Sequence, residues 1–268
     1  MTKTLRNKHW CEDFSNGDKK LENDEGVEKL FFELASESRL GILRELQKEN
    51  LKMQEIARRL DVTATEAFRQ LQRLSEALLV QKQPEGTFAI TQYGKLVLQL
   101  SSPLDFVFKY KNYFSTHDVW RLPYQFVNRI SELSQTNLIL NTMEGINKGV
   151  QMFIEAEQYA WGVAEHGRGP ELMNQKMDER IRKGVRIKLL IPENFLPTAI
   201  LGAKAPNCEV RGLSDIPAII GVTEKEATIG FRLVDGRTDY VVFHGKDTQF
   251  LNWVKDVFLY YWEKGKQA

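Results

Sequence analysis

Apolar residues recur at three- and four-residue intervals through the first third of the chain. Between residues 28 and 49 this spacing predicts two amphipathic helices, broken near residues 36–38. The apolar positions of the two helices are Leu30, Phe31, Leu34, Leu40, Leu43 and Leu46.

Two further short helices are predicted directly after them. In the first, Ile56 and Leu60 lie one turn apart. In the second, Thr63 and Glu66 have the spacing of a capping box, in which the Thr63 hydroxyl accepts from the Glu66 amide and the Glu66 carboxylate reaches back. The pattern therefore predicts a helix, a tight turn at residues 61–62 and a helix beginning at Thr63. The expected buried stripe of the second helix is Ala67, Leu71, Leu74 and Leu78.

A β-hairpin is predicted next, because residues 80–84 and 87–91 alternate around Gly86. A hairpin in this position forms a wing whose tip can touch the DNA backbone or minor groove. The polar face of the preceding helix can reach base edges and phosphates in the major groove. Phe68 leaves two interpretations open, contact with a thymine methyl or burial in the core. The expected DNA-binding residues are Thr63, Thr65, Glu66, Phe68, Arg69, Gln70, Arg73, Lys82, Gly86 and Thr87.

This order of elements resembles the ArsR/MarR-like winged helix-turn-helix transcription regulators of archaea, over residues 28–98. The resemblance implies binding to double-stranded DNA. It departs from the family at Lys52, where a Ser or Thr cap is usual, and it lacks the metal-thiolate motif, so no metal is expected. The residues that carry the resemblance are 54–57, Leu60, 69–71, Leu74, 78–80, Ile90, Thr91 and Gly94.

The segment 95–120 is rich in apolar and aromatic side chains, and Pro103 is expected to divide it into two helices. It offers more apolar surface than a free linker would tolerate. Two uses stay open: a seam between two copies of the chain, or packing against the chain's own C-terminal domain. We favour the seam, and hence a homodimer.

From residue 121 onward helical patterns alternate with β-rich runs, which predicts an α/β domain over residues 121–268. Residues 124–133 are expected to form one helix, and Gly184 is expected to end another. The arrangement resembles one lobe of the phospholipase D-like fold, which also occurs in sensor domains of archaeal TrmB-type and methanogenesis-regulatory proteins. The fold class expected for the whole chain is thus an α+β winged helix-turn-helix joined by helices to an α/β phospholipase D-like domain. The residues that carry the second resemblance are 155–157, Trp161, 182–185, 223–227, Trp253, Asp256, Phe258, Tyr261 and Trp262.

Phospholipase D chemistry needs the pattern HxKxxxxD, with a His nucleophile and a Lys for the phosphoryl charge. His244 and Lys246 begin that pattern, but Leu251 occupies the Asp position. Residues 216–223, where the motif would be expected, contain neither His nor Lys. We therefore predict that the chain is not an enzyme and has no catalytic residues.

A small-molecule effector could instead be bound by the C-terminal domain. Each candidate has a plainer interpretation: Trp161 as a core aromatic, residues 165–169 as an exposed loop, and the arginines as surface ion pairs. The effector candidates are Trp161, His166, Arg168, Arg211 and Arg232.

Composition limits the remaining classes. The 268 residues carry a net charge of +1 and two cysteines, so a disulfide framework and a Cys-based zinc site are not expected. No metal or cofactor, membrane span or secretory signal is expected, and residues 1–25 are expected to be a disordered polar leader. The sequence thus predicts a cytoplasmic, homodimeric, DNA-binding transcription regulator with domains at 26–94 and 121–268. Two alternatives are a phospholipase D-type phosphodiesterase or nuclease, and a winged-helix protein-interaction adaptor.

Overall fold

A computed structural model of the chain describes residues 26–166, 171–197 and 205–267. The expected leader at residues 1–25 lies outside the described residues. Two compact units share the chain, and the division falls between Leu98 and Gln99. We call them the N-terminal unit and the C-terminal unit.

Within residues 26–98 the N-terminal unit has four helices, the first turns of a fifth, and a three-stranded sheet. The predicted hairpin is confirmed: β2 and β3 pair antiparallel, with Val80 opposite Ile90 and Lys82 opposite Phe88. A short strand β1 pairs on the other side of β3, so the strand order is β1-β3-β2. The elements are α1 (Val27–Leu34), α2 (Glu37–Lys48), β1 (Leu51–Lys52), α3 (Met53–Arg59), α4 (Ala64–Glu76), β2 (Val80–Lys82), β3 (Thr87–Ile90) and α5 (Gln92–Lys109).

The core of this unit forms where α2, α3 and α4 converge on the sheet. Ile42, Leu43, Ile56, Leu71 and Leu74 are almost completely excluded from solvent. Burying side chains of this size contributes roughly 1.5–3 kcal/mol each. The helical spacing of the sequence therefore identifies the buried faces of these helices.

Leu78 does not extend that buried stripe, so this expectation is wrong. Helix α4 ends at Glu76, and Leu78 follows in the left-handed region with φ of 59° and its side chain 69% exposed. Its neighbour Leu79 is fully buried instead. Leu78 in this conformation turns the chain from α4 into β2, so the side chain that faces the core is that of Leu79 rather than Leu78.

The expectation that Pro103 divides the connecting segment is also wrong. Helix α5 runs from Gln92 to Lys109 with Pro103 inside it. An interior proline costs about 3 kcal/mol. Packing on either side compensates: Val97 and Leu98 are buried in the core of the N-terminal unit, and Phe106 is buried in the core of the C-terminal unit.

The C-terminal unit is built on an eight-stranded mixed sheet with strand order β11-β7-β6-β5-β8-β9-β10-β4. Strands β5, β6 and β7 are parallel, and the remaining pairings are antiparallel. The strands are β4 (Asn137–Ile139), β5 (Tyr159–Val163), β6 (Arg186–Pro192), β7 (Cys208–Leu213), β8 (Ala218–Thr223), β9 (Ala227–Phe231), β10 (Val242–Gly245) and β11 (Lys266–Gln267).

In the part of this unit that the structure describes, five helices accompany the sheet. They are α6 (Lys111–Phe114), α7 (Tyr124–Val127), α8 (Thr142–Glu155), α9 (Glu171–Arg182) and a final helix α10 (Thr248–Lys264). The single helix expected over residues 124–133 is wrong, because α7 ends at Val127 and a 3-10 turn spans Ile130–Leu133. The helix end expected at Gly184 is confirmed by its positive φ of 87°.

Helices cover both faces of the sheet. One face packs on α10, whose Trp253, Val257 and Phe258 are fully buried. The other face packs on α8 and α9 around Phe153 and Ile187. The Phe153 ring packs directly against Gly162 of β5, where a Cβ would lie only 2.9 Å from the Phe153 Cζ.

The connecting segment contributes to the core of the C-terminal unit. Phe106 and Tyr113 are buried in it, and the Tyr113 hydroxyl accepts from the Phe231 amide at 2.9 Å. This part of the segment therefore packs against the chain's own domain, the alternative we did not favour. Leu100, Leu104 and Phe108 on α5 remain 67%, 58% and 70% exposed. Among the described residues no helix is long and apolar enough to cross a bilayer.

Candidate functional site

The turn between α3 and α4 positions the start of the candidate DNA-reading helix. Asp61 adopts a left-handed φ of 52°, and the Thr63 hydroxyl accepts from the Glu66 amide at 3.1 Å. This half of the expected capping box is confirmed. The other half is not formed, because the Glu66 carboxylate accepts from Gln70 and Arg69. The hydrogen bond from Gln70, followed in size by the one from Arg69, holds the pKa of the Glu66 carboxyl below its usual value.

Four of the candidate residues form an exposed ridge at the beginning of α4. Thr63 and Thr65 are exposed, Phe68 is 56% exposed, and the Arg69 side chain is 68% exposed. The question left open for Phe68 is thereby answered: it points outward rather than into the core. The ridge offers a hydroxyl pair, an aromatic ring and a guanidinium on one surface.

Gln70 and Arg73 lie on the same helix but are held by other parts of the N-terminal unit. Arg39 Nη1 donates to Gln70 Oε1 at 2.9 Å. Arg73 Nη2 lies 2.6 Å from Glu33 Oε1, and its guanidinium lies 5.0 Å from the centre of the Phe32 ring. Sequence reasoning missed Glu33, Phe32 and Arg39, since these residues are 31 to 41 positions from their partners and no local motif marks them.

The hairpin presents a smaller polar surface. Lys82 is exposed near the end of β2, and Gly86 turns the chain with φ of 87°. A Cβ at Gly86 would meet no atom within 4 Å, so glycine is required there by the positive φ and not by space. Thr87 is half-buried and donates to Glu85 Oε1 at 3.0 Å.

In the C-terminal unit, a row of stacked aromatic rings connects Trp161 to Arg211. Trp161 on β5 stacks on Phe258, whose ring in turn stacks on Trp262. Arg211 on β7 lies 4.4 Å above the Trp262 ring and donates to the Trp262 carbonyl at 2.8 Å. Lys188 on β6 lies above both Trp161 and Trp262.

Among the described residues, no contact connects the other effector candidates to the rings and cations around Trp161 and Trp262. Arg232 donates to Glu165 Oε1 at 2.7 Å and to the Gly236 carbonyl at 3.0 Å. Thr238 also donates to Glu165, at 2.6 Å. His166 is exposed, 6.0 Å from the Phe195 ring. Arg168 lies outside the described residues.

The incomplete HxKxxxxD pattern is spread over β10 and α10. His244 Nε2 lies 2.7 Å from Glu226 Oε2, which also lies 2.8 Å from Lys148 Nζ. Burial lowers the pKa of His244, more than the Glu226 carboxylate raises it. Lys246 is exposed, and Leu251 lies in α10. His244 thus packs in an ion-pair cluster that anchors α8 to the sheet.

An open cavity of about 330 Å³ lies beside the connection between β7 and β8. Its lining includes Arg121, Asp215, Tyr261 and Lys264, none of which is among the effector candidates expected from the sequence. Arg121 pairs with Asp215 at 3.1 Å, and the Tyr261 hydroxyl donates to the Arg121 carbonyl at 2.9 Å. Most polar groups of this cavity are therefore already engaged.

Comparison with known proteins gives one sequence match and several structural ones. Residues 27–105 match the family described as HVO_A0261 N-terminal domain. No curated protein matches the chain significantly in sequence.

Solved structures that match the chain include TrmBL2, an archaeal chromatin protein, at 16% identity and a TM-score of 0.43, covering 90% of this chain and 97% of that one. NucT from Helicobacter pylori matches at 11% identity and a TM-score of 0.41, covering 50% of this chain and 98% of that one. Nuc from Salmonella typhimurium, a phospholipase D family member, matches at 13% identity and a TM-score of 0.38, with the same two coverages.

Proposed function

We propose that the protein is a sequence-specific DNA-binding transcription regulator whose N-terminal unit is a winged helix-turn-helix. The observation that carries this proposal is the exposed ridge at the beginning of α4. A helix that presents hydroxyl, aromatic and guanidinium groups at its first turns, beside a hairpin, has the surface needed to enter a major groove.

We propose different tasks for the candidate residues, according to their exposure and their partners. Thr65, Phe68 and Arg69 are exposed and can meet base edges, with Phe68 suited to a thymine methyl. Lys82 on the hairpin is exposed and suits a phosphate. Gln70 and Arg73 are held by Arg39 and Glu33, so they reach DNA only after exchanging those partners.

The regulator is proposed to act as a homodimer. Leu100, Leu104 and Phe108 are spaced four residues apart along α5, so they share one exposed helix face. Solvent-exposed apolar surface of this kind favours covering by another chain. A second copy would present a second α4, and a symmetric pair reads a palindromic site.

The C-terminal unit is proposed to be non-catalytic and to sense a small molecule or mediate assembly. The His244 ring is committed to Glu226, and no acidic residue stands at position 251. A ligand would change operator affinity only by binding one arrangement of the dimer better than the other.

A duplex selected from a random pool by the full chain tests the proposal. The affinity of Arg69→Ala for that duplex should fall by about tenfold, as expected for the loss of one base-contacting side chain. The control Arg237→Ala, which removes an exposed arginine of the C-terminal unit, should leave the affinity unchanged. A failure to enrich any sequence, or binding without salt dependence, would overturn the proposal and leave a protein-contact role for the N-terminal unit.

A further inference from the structure

Three cations and three aromatic rings alternate between α10 and strands β5, β6 and β7. Lys188 Nζ lies 5.5 Å from the centre of the Trp161 ring and 4.8 Å from that of Trp262. Lys255 Nζ on α10 lies 5.8 Å from Trp161 and 5.3 Å from Tyr159. Arg211 completes the row above Trp262. Two ammonium groups therefore converge on one indole.

These cations lack the counter-charges that other half-buried cations of the unit have. Lys148 lies 2.8 Å from the Glu226 carboxylate, and Arg232 lies 2.7 Å from Glu165. In the described part of the chain, by contrast, Lys188, Lys255 and Arg211 have no carboxylate within 4.0 Å. Glu209 is the register neighbour of Lys188 on β7, but it is exposed and makes no ion pair with it.

Aromatic faces compensate for only part of this charge. A cation over a ring is stabilised only modestly, and by more where it is desolvated. The attraction comes from the ring quadrupole, so it neutralises no charge, and the neighbouring cations still repel one another. A bound anion would remove that repulsion.

Trp161 supplies a second sign of a missing partner. Its indole Nε1 is buried, and it has no hydrogen-bond partner in the structure. A buried donor without an acceptor loses the hydrogen bond that water would give it, and buried indole N–H groups usually find a partner. The donor belongs to the same ring on which Lys188 and Lys255 converge.

We propose that Lys188, Lys255 and the Trp161 N–H form a binding site for an oxyanion, the phosphate or carboxylate group of a small molecule. The two ammonium groups supply charge, and the indole N–H supplies a directional donor once the flexible lysine side chains move apart. Arg211 adds a guanidinium at the rim. If the C-terminal unit senses a small molecule as proposed above, this site defines that molecule as one with a phosphate or carboxylate group. Only the effect of the anion on DNA binding rests on that proposed role.

Calorimetric titration of the full chain with inorganic phosphate, pyrophosphate and citrate tests the site, with glycerol as the neutral control. Binding of at least one anion and none of glycerol is expected, and the three anions distinguish phosphate from carboxylate ligands. Lys188→Gln and Lys255→Gln should each weaken binding by about tenfold or more, the worth of a charge-assisted hydrogen bond. Trp161→Phe keeps a stacked ring without the N–H and should weaken binding by less.

Lys264→Gln is the matched control, because this lysine of α10 lies over Tyr260 and not over either indole. It should bind the anion as the unaltered chain does. The proposal is overturned if no anion binds, or if Lys188→Gln and Lys255→Gln bind as well as the control. It is also overturned if the two variants only reduce the salt dependence of duplex binding, since the lysines would then be DNA-backbone contacts.

The two proposals can fail separately. Anion binding that leaves duplex affinity unchanged would support the site and remove the sensing role. Selective duplex binding without any anion binding would support the DNA-binding proposal and remove the site.

Discussion

Arg73, on the helix proposed to read DNA, is ion-paired with Glu33 of α1. The distance from Arg73 Nη2 to Glu33 Oε1 is 2.6 Å, and Glu33 Oε2 also lies 2.9 Å from Arg39 Nε. The Glu33 carboxylate thus pairs with Arg73 of α4. It also fixes Arg39, which in turn donates to Gln70. Hydrogen bonding to Glu33 raises the pKa of the Arg73 guanidinium. Helix α1 therefore restrains two side chains of the helix that we propose to read DNA.

Removing this carboxylate should strengthen DNA binding. Glu33→Gln frees the Arg73 guanidinium for a phosphate, so duplex affinity should rise several-fold and the slope of log affinity against log salt should steepen by about 0.9. Fluorescence anisotropy at several salt concentrations measures both. Glu28→Gln, on the same helix and exposed, is the control and should change neither. An unchanged slope in Glu33→Gln would show that Arg73 does not reach the backbone.

Charging the exposed face of α5 should separate the proposed dimer. Leu104→Lys places an ammonium group in the middle of the face formed with Leu100 and Phe108, and burying it without a partner costs several kcal/mol. Sedimentation should then show a monomer at concentrations where the unaltered chain is dimeric. Met143→Lys, a substitution at a side chain that is 61% exposed on α8, should leave the dimer intact. A dimer that survives Leu104→Lys must use another surface.

The stability of the C-terminal unit should fall in two steps as the pH is lowered from 7. Burial lowers the pKa of His244, so the unfolded chain binds more protons below about pH 6.5 and the free energy of unfolding decreases there. Burial alone raises the pKa of Glu226, but Lys148 and His244 outweigh it and lower that pKa. The stability from Glu226 is thus present above its unfolded pKa and is lost as the pH falls below about 4.5.

Urea unfolding followed by tryptophan fluorescence measures this pH dependence. The described tryptophans, Trp120, Trp161, Trp253 and Trp262, all belong to the C-terminal unit. His244→Gln should remove the first step, and His166→Gln, at an exposed histidine, should leave it in place. A first step that persists in His244→Gln would assign it to another group.

Two glycines in helices should respond in opposite directions to alanine. A Cβ at Gly94 would overlap the Leu79 carbonyl oxygen and lie 2.8 Å from Ile90 Cγ1, so Gly94→Ala should destabilise the N-terminal unit by about 1–3 kcal/mol. A Cβ at Gly149 in α8 would meet no atom within 4 Å, so Gly149→Ala should stabilise the C-terminal unit by about 0.5–1 kcal/mol. Thermal melting followed by circular dichroism compares the two variants. If both variants melted at the temperature of the unaltered chain, both predictions would be contradicted.

Features set by neighbouring residues could be predicted from the sequence. The hairpin around Gly86, the Thr63 cap and the helix end at Gly184 depend on local turn chemistry, and all three are present. Leu78 was misplaced because helical spacing does not show where a helix stops. The helix through Pro103 was missed because its stability comes from Val97 and Phe106, which pack in cores that the local pattern does not describe.

The candidate sites depend on contacts between distant residues, and these could not be predicted. Nothing near Arg73 in the sequence indicates that Glu33 holds it. Lys188, Trp161 and Lys255 lie on two strands and a helix, so only the strand order and register bring them together. The sequence could name Trp161 as a candidate, but not the lysines above it.

Pro103 leaves a gap in the backbone ladder of α5. A proline has no amide hydrogen, so the Gln99 carbonyl, four residues earlier, loses its usual helical donor. Gln99 is also the first residue of the C-terminal unit. Helix α5 is thus least supported by its own hydrogen bonds near Gln99, where a bend would break one bond fewer than at other positions along the helix.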